Sequence, residues 1–255
     1  MLEIVQIPVL NDNYVYLIHE PKSGDTAVVD PAVEDEVVTE LEKRGWTLTH
    51  ILNTHHHWDH TGANLALKER YYGLKIIGPA AERERIPGLD VAVAEGDEAH
   101  LGDVAADVYD VPGHTSGHIA YHFKDDDALF CGDTLFAMGC GRLFEGTPDQ
   151  MWQSLSKFLR LPDETRVYCA HEYTMANGKF ALTVEPENTD LKARMADVEK
   201  LRAAGTPTIP TTIGLEKATN PFLRPMSENI QETVDMIGAP LPKVFAEVRA
   251  RKDNF

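Results

Sequence analysis

Short runs of alternating apolar and polar residues dominate the first half of the chain, each closing near Gly, Pro, Asn or Asp. The pattern predicts strands over residues 3–9, 14–19, 26–29, 50–53, 75–77, 105–111, 119–123 and 128–131. Helical periodicity interrupts them over residues 34–44 and 62–72. Strands with interposed helices predict a layered α/β domain built on sheet.

Further along, Thr147-Pro148-Asp149-Gln150 combines a hydroxyl N-cap, Pro at the first helical position and Gln at the third. It predicts a helix with Met151, Leu155 and Phe158 on one face, ending at Pro162. One more strand, residues 166–169, runs into His171, and there the strand signals stop. Asn188 or Thr189 opens a helix carrying Leu191, Met195, Val198 and Leu201, closed by Gly205. A Pro- and Thr-rich stretch over 206–212 precedes two more helical segments. The expected organisation is a mixed sheet domain over 1–172 and a smaller helical domain over 173–255. No fixed-period repeat is present, which removes solenoids and propellers.

Composition narrows the partners. A chain of 255 residues with 43% hydrophobic positions can bury an ordinary core without disulfides. Its 24 Lys+Arg against 41 Asp+Glu give a net charge of −17, which argues against nucleic acid and against anionic membrane surfaces. No window approaches the roughly 18 apolar residues of a membrane span, and Met1-Leu2-Glu3 lacks a signal-peptide start, so the mature chain is expected to begin at Met1. Cys131, Cys140 and Cys169 form no CxxC pair, and a reducing cytoplasm is the expected compartment. The count that stands out is 11 His.

Thr54-His55-His56-His57-Trp58-Asp59-His60 follows a predicted strand and precedes a predicted helix, a place where sites are usually built. In extended backbone His55 and His57 point one way and His56 the other, so two imidazoles converge as metal ligands do. Asp59 and His60, just past the turn, face a second point nearby. Chance gives an HxHxDH run in roughly one or two of a thousand such chains. Further ligands are expected at strand ends, and His114 after Gly113, Asp133 after Gly132 and His171 after Ala170 meet that condition. Nitrogen and oxygen donors without Cys suit Zn, Fe or Mn.

Residues 54–60 with His114, Asp133 and His171 resemble the metallo-β-lactamase superfamily. Residues 139–147, His171-Glu172-Tyr173-Thr174, Asn220-Pro221-Phe222-Leu223-Arg224 and Arg249-Ala250-Arg251-Lys252-Asp253 are similar to the glyoxalase II (hydroxyacylglutathione hydrolase) family within it. The resemblance covers nearly the whole chain. It implies an αββα sandwich with two divalent ions: His55, His57 and His114 on the first, Asp59, His60 and His171 on the second, Asp133 bridging. Asp59 and Asp133 are thereby the expected catalytic carboxylates, and Arg142, Phe144, Tyr173, Arg249 and Lys252 the expected glutathione contacts. Some members of the family carry Tyr at the position of Phe144. The implied activity is hydrolysis of S-D-lactoylglutathione to glutathione and D-lactate, by a monomer whose partner is this small thioester.

The chemistry is consistent with that. Two divalent ions about 3.5–4 Å apart keep hydroxide available at neutral pH and polarise a carbonyl. No Ser or Cys lies in a GxSxG setting, so hydroxide is the expected nucleophile. A thioester suits it, because a thiol of pKa about 8.5 leaves without a strong general acid. Arg249 and Lys252, three apart on one predicted helix face, read either as a carboxylate-binding pair or as cations favoured by the helix dipole. Among the other histidines, His118 is the one with a possible supporting role beside a ligand, while His19, His50, His56, His100 and His122 read as surface or core residues. The nearest rival enzyme is a persulfide dioxygenase of the same superfamily, with one iron on His55, His57 and His114. The non-enzyme rival is a binding protein that keeps the fold without the chemistry.

Overall fold

In the computed structural model, which describes residues 1–255, the alternating runs pair into sheets. The first is ordered β1 (Glu3–Val9), β2 (Asn13–His19), β3 (Thr26–Val29), β4 (His50–Leu52), β5 (Lys75–Pro79), β6 (Val91–Val93). β1 to β3 are antiparallel neighbours and β3 to β6 run parallel. Parallel neighbours need a crossover. α1 (Asp35–Arg44) supplies it between β3 and β4, and α2 (Trp58–Thr61) with α3 (Asn64–Arg70) between β4 and β5. β7 (Glu98–Leu101), β8 (Val104–Asp110), β9 (Ile119–Phe123) and β10 (Ala128–Gly132) pair antiparallel in a second sheet. These elements make one compact unit, residues 1–110 with 116–132.

Val15 and Leu17 of β2, Val28 of β3, Ile51 of β4 and Ile76 of β5 bury against Val37 and Leu41 of α1 and Leu67 of α3. From the opposite face Tyr16 meets Phe130 of β10 edge-on at 5.6 Å, and Tyr121 of β9 donates its hydroxyl to Asn53 O at 2.8 Å. A strand covered on both faces has no place for polar side chains, hence the unbroken apolar run 14–18. The helix expected over 62–72 instead starts at Trp58 as the single-turn α2 and restarts as α3. Ala63 N donates to Pro31 O at 3.0 Å, a bond outside the helix that separates the two. Asp59 and His60 therefore lie on a helical turn. β6 and β7 were not anticipated, being too short to display a period.

The second compact unit comprises residues 111–115 and 133–255. β11 (Leu135–Phe136) and β12 (Gly139–Cys140) form a hairpin, α4 (Pro148–Phe158) follows, and β13 (Arg166–Cys169) pairs antiparallel with β14 (Thr211–Thr212). The remaining helices are α5 (Thr174–Val184), α6 (Thr189–Ala203), α7 (Ile213–Thr219), α8 (Glu228–Thr233) and α9 (Leu241–Asp253). Thr147 and Gln150 close the expected capping box, at 3.2 and 2.9 Å. α4 stops at Phe158, ahead of Pro162, because Arg160 N and Leu161 N turn back onto Lys157 O and Phe158 O. Strand pairing resumes at Thr211–Thr212, inside the stretch read as a linker, and three helices follow it rather than two. Pro242 occupies the second helical position of α9.

α5 was missed altogether, since Asn177-Gly178 reads as a turn. The glycine serves packing instead: a Cβ there would lie 2.0 Å from Met195 Sδ of α6 and 2.7 Å from Met138 Cε. At the end of α5, buried Glu185 accepts from Arg224 at 2.7 and 2.9 Å, from Ser227 Oγ at 2.6 Å and from Asn188 Nδ2 at 2.9 Å. Burial raises its carboxyl, but the bonds from Arg224, Ser227 and Asn188 outweigh burial and hold it below the ordinary value. A carboxyl lowered on folding stabilises fully above its unfolded pKa, and the stabilisation is lost as pH falls through the folded value. Glu185→Gln is thus expected to cost about 2 kcal/mol at pH 7, with the gap to wild type closing in melts taken from pH 5 downward. A gap that is constant with pH would exclude the carboxylate as its source. No helix is long and apolar enough to cross a membrane.

Candidate metal centre

The first unit contributes one half of the expected ligand set. β4 ends at Leu52, and the next residues carry the chain out of the sheet with Thr54 and His55 fully buried. Asp30, just past β3 and in the left-handed region at φ 50°, accepts from Thr54 N at 2.8 Å and Thr54 Oγ1 at 2.6 Å. Having given its hydrogen to Asp30, the Thr54 hydroxyl accepts from His55 Nδ1 at 3.0 Å, which leaves a lone pair on His55 Nε2. That atom lies 3.1 Å from His57 Nδ1. Asp30 Oδ2 also takes the Nδ1 hydrogen of His60 at 3.1 Å, so His60 Nε2 presents its lone pair 3.5 Å from Asp59 Oδ2. Asn13 Nδ2 holds the same Asp59 oxygen at 3.0 Å.

The second unit contributes the other half. His114 donates Nδ1–H to Arg142 O at 2.9 Å, and its Nε2 faces Asp133 Oδ2 at 3.3 Å. His171 Nε2 faces the other carboxylate oxygen, Oδ1, at 3.4 Å. One carboxylate therefore meets two imidazoles, one oxygen each. A neutral imidazole lone pair turned toward a carboxylate is repulsive without a cation between them. For His55, His60 and His114 the hydrogen bonds fix the outer nitrogen and direct the inner one, which is how ligating histidines are held. The donor set fits divalent ions of the Zn, Fe and Mn kind.

Around these ligands, Tyr173 stacks on His171 at 4.7 Å and 4°, and Phe136 stands edge-on to both rings. Phe144, 61% exposed, meets the His114 ring at 5.2 Å. Arg249, expected as an accessible cation, is only 6% exposed. Its guanidinium donates to Cys140 O at 3.1 Å and Asp253 Oδ1 at 2.9 Å and lies 4.9 Å over Phe222. Lys252 Nζ sits between the Phe180 and Phe255 rings at 5.4 and 5.2 Å, and burial, aided by Arg249, lowers its pKa. Arg142 is largely exposed, with Nε 3.8 Å from Asp253 Oδ1. Burial pushes the Cys140 thiol up to about 11 and the Cys169 thiol up to about 12, so neither is a thiolate at neutral pH.

No local pattern marks Asp30, whose role depends on Thr54 and His60 far along the chain. His118 stacks on His55 at 4.5 Å and 21°, and His56 turns to Glu82. His19 stacks on Trp46, and His122 is buried.

Residues 10–171 match the model of the Metallo-beta-lactamase superfamily, and residues 172–255 match the model Hydroxyacylglutathione hydrolase C-terminus. A Hydroxyacylglutathione hydrolase of Methylococcus capsulatus is 58% identical over 255 residues, covering 100% of this chain and 99% of its own. The chain belongs to the hydroxyacylglutathione hydrolase family. A second relative so named, from Ruegeria pomeroyi, is 52% identical over 254 residues, with 100% and 99% covered. Among solved structures, ETHE1 from Myxococcus xanthus superposes with a TM-score of 0.69 at 29% identity, covering 98% of each chain. TTHA1623 in a di-iron-bound form gives 0.60 at 27% identity, covering 86% of this chain and 98% of its own. The α/β fold is thus the metallo-β-lactamase fold with a hydroxyacylglutathione hydrolase C-terminus, a metal-dependent hydrolase framework.

Proposed function

We propose that the chain hydrolyses S-D-lactoylglutathione to glutathione and D-lactate. The observation that carries this reading is the match of residues 172–255 to the hydroxyacylglutathione hydrolase C-terminus, since the histidine motif by itself marks only the superfamily. His55, His57 and His114 would hold one ion, Asp59, His60 and His171 a second, and Asp133 both. The lone-pair directions described above support the assignment, and the di-iron form of a solved relative supports a pair of ions, of Zn, Fe or Mn. When bound, such ions lower the pKa of water and polarise a carbonyl oxygen.

The protein's own groups do the rest. Asp30 holds His60 directly and His55 through Thr54, and the Arg142 carbonyl holds His114. Phe144 and Tyr173 offer exposed aromatic surface to the carrier. Arg142 and Lys252 would meet its carboxylates, while Arg249 acts from below by fixing Cys140 O and Asp253. The glutathione thiolate then departs without a protein acid. Three cysteines, buried and in no disulfide, suit a cytoplasmic enzyme, which we take to be monomeric.

Thiol release from S-lactoylglutathione by the purified chain is the direct test. It is expected to disappear on chelation and return with added metal, and absence of release from protein carrying two metals would overturn the reading. Lys252→Ala is expected to raise KM about 10-fold with kcat within about twofold, the pattern of lost uniform binding. An unchanged KM would remove Lys252 from carrier recognition.

A further inference from the structure

We propose that Glu82 is a positioning residue for the metal loop, acting through His56 and Gly117. Glu82 closes a single 3₁₀ turn after β5 and is 1% exposed. A carboxylate is costly to bury unless its oxygens are bonded. Here Oε2 accepts from His56 Nδ1 at 2.8 Å and Oε1 from Gly117 N at 3.0 Å. Arg85 Nη2 contacts the far nitrogen of His56. A guanidinium only donates, so His56 Nε2 accepts from Arg85 and Nδ1–H is directed to Glu82.

Both anchors lead to the ligand residues. His56 is the link between His55 and His57, and its ring stands edge-on to theirs at 6.3 and 4.8 Å. Pinning the His56 ring to Glu82 fixes the short stretch of backbone that carries His55 and His57 on either side of it. Gly117 precedes His118, whose ring lies flat behind His55 at 4.5 Å. A Cβ on residue 117 would lie 2.6 Å from Glu82 Cγ and 2.8 Å from Ala81 Cβ, so glycine alone brings this N–H onto the carboxylate. One buried acid thus fixes the ring between two ligands and the plate behind one of them. The histidine that faces away from the metal is the handle by which the other two are aimed.

The inference rests on the metal reading above, and cobalt(II) titrated into the chelator-stripped chain separates the two. Its visible bands report ligand geometry, and the titration gives affinity. Glu82→Gln and His56→Ala are each expected to weaken cobalt binding about 10–100-fold and to alter the bands. Because both act on one device, the double variant is expected to bind no more weakly than the weaker single variant. Wild-type affinity and bands in either folded single variant would overturn the proposal, as would losses that multiply in the double variant. Should Glu82→Gln fail to fold, His56→Ala, at a half-buried position, decides alone. A wild-type chain that takes up no cobalt would overturn the metal reading and this inference with it.

Discussion

Asp133→Ala is expected to lower kcat/KM for S-lactoylglutathione at least ~1000-fold, about 4 kcal/mol of transition-state stabilisation, and to leave the purified chain short of metal. Asp133 follows β10 and directs one oxygen to His114 at 3.3 Å and the other to His171 at 3.4 Å. In the proposed centre it is the only residue shared by both ions, so its loss removes an oxygen donor from each and the spacer between them. Asp133→Asn keeps the shape and one acceptor oxygen, and is expected to retain more metal than Ala while losing most of the activity. Metal analysis beside steady-state kinetics reads both effects. Two ions per chain and activity within about tenfold of wild type in Asp133→Ala would contradict the bridging role.

Glu216→Ala is expected to lower the melting temperature by roughly 10 °C, corresponding to about 3–5 kcal/mol. Glu216 is wholly buried on α7 and pairs with Arg194 Nη2 of α6 at 2.6 Å. Its Oε1 also accepts from Thr211 Oγ1 at 2.6 Å, and Oε2 from Met138 N at 2.8 Å and Asn220 Nδ2 at 2.9 Å. The carboxylate therefore ties two helices, β14 and the left-handed residue of the β11–β12 turn. Removing it takes the counter-charge from a buried guanidinium and the acceptor from Thr211 Oγ1 and Met138 N, while Asn220 Nδ2 keeps the Phe136 and Gly139 carbonyls. The expected large effect comes from that stranded charge rather than from the worth of the pair, so Glu216→Leu with Arg194→Met should recover much of the loss. A melt lowered by less than about 3 °C in Glu216→Ala would mean that the site collapses around the missing group.

The strands of the first unit were legible because a buried face imposes alternation locally, as in β1, or an unbroken apolar run, as in β2. Residues 54–60 were legible for a similar reason, since four potential ligands fall within six residues. What escaped depends on partners distant in sequence. Asp30 is an unremarked acid at a strand end until Thr54 and His60 fold onto it, and Glu82 lies on a three-residue turn with no period. The spacing of Arg249 and Lys252 put them on one helix face, yet the burial of Arg249 comes from Cys140, 109 residues earlier, and from Phe222. α5 carries no clear signal because the Gly178 that packs it against Met195 is of a residue type that serves turns as readily as tight helix packing.

The join between the two matched families falls after residue 171, and the rings of His171 and Tyr173 stack across it. In evolutionary terms the seam is therefore not a neutral hinge. A descendant that exchanged its C-terminal module at this point would keep the histidine from one ancestor and take the ring that braces it from another. Replacing the segment after residue 171 would change the surroundings of a proposed ligand as well as the proposed carrier contacts.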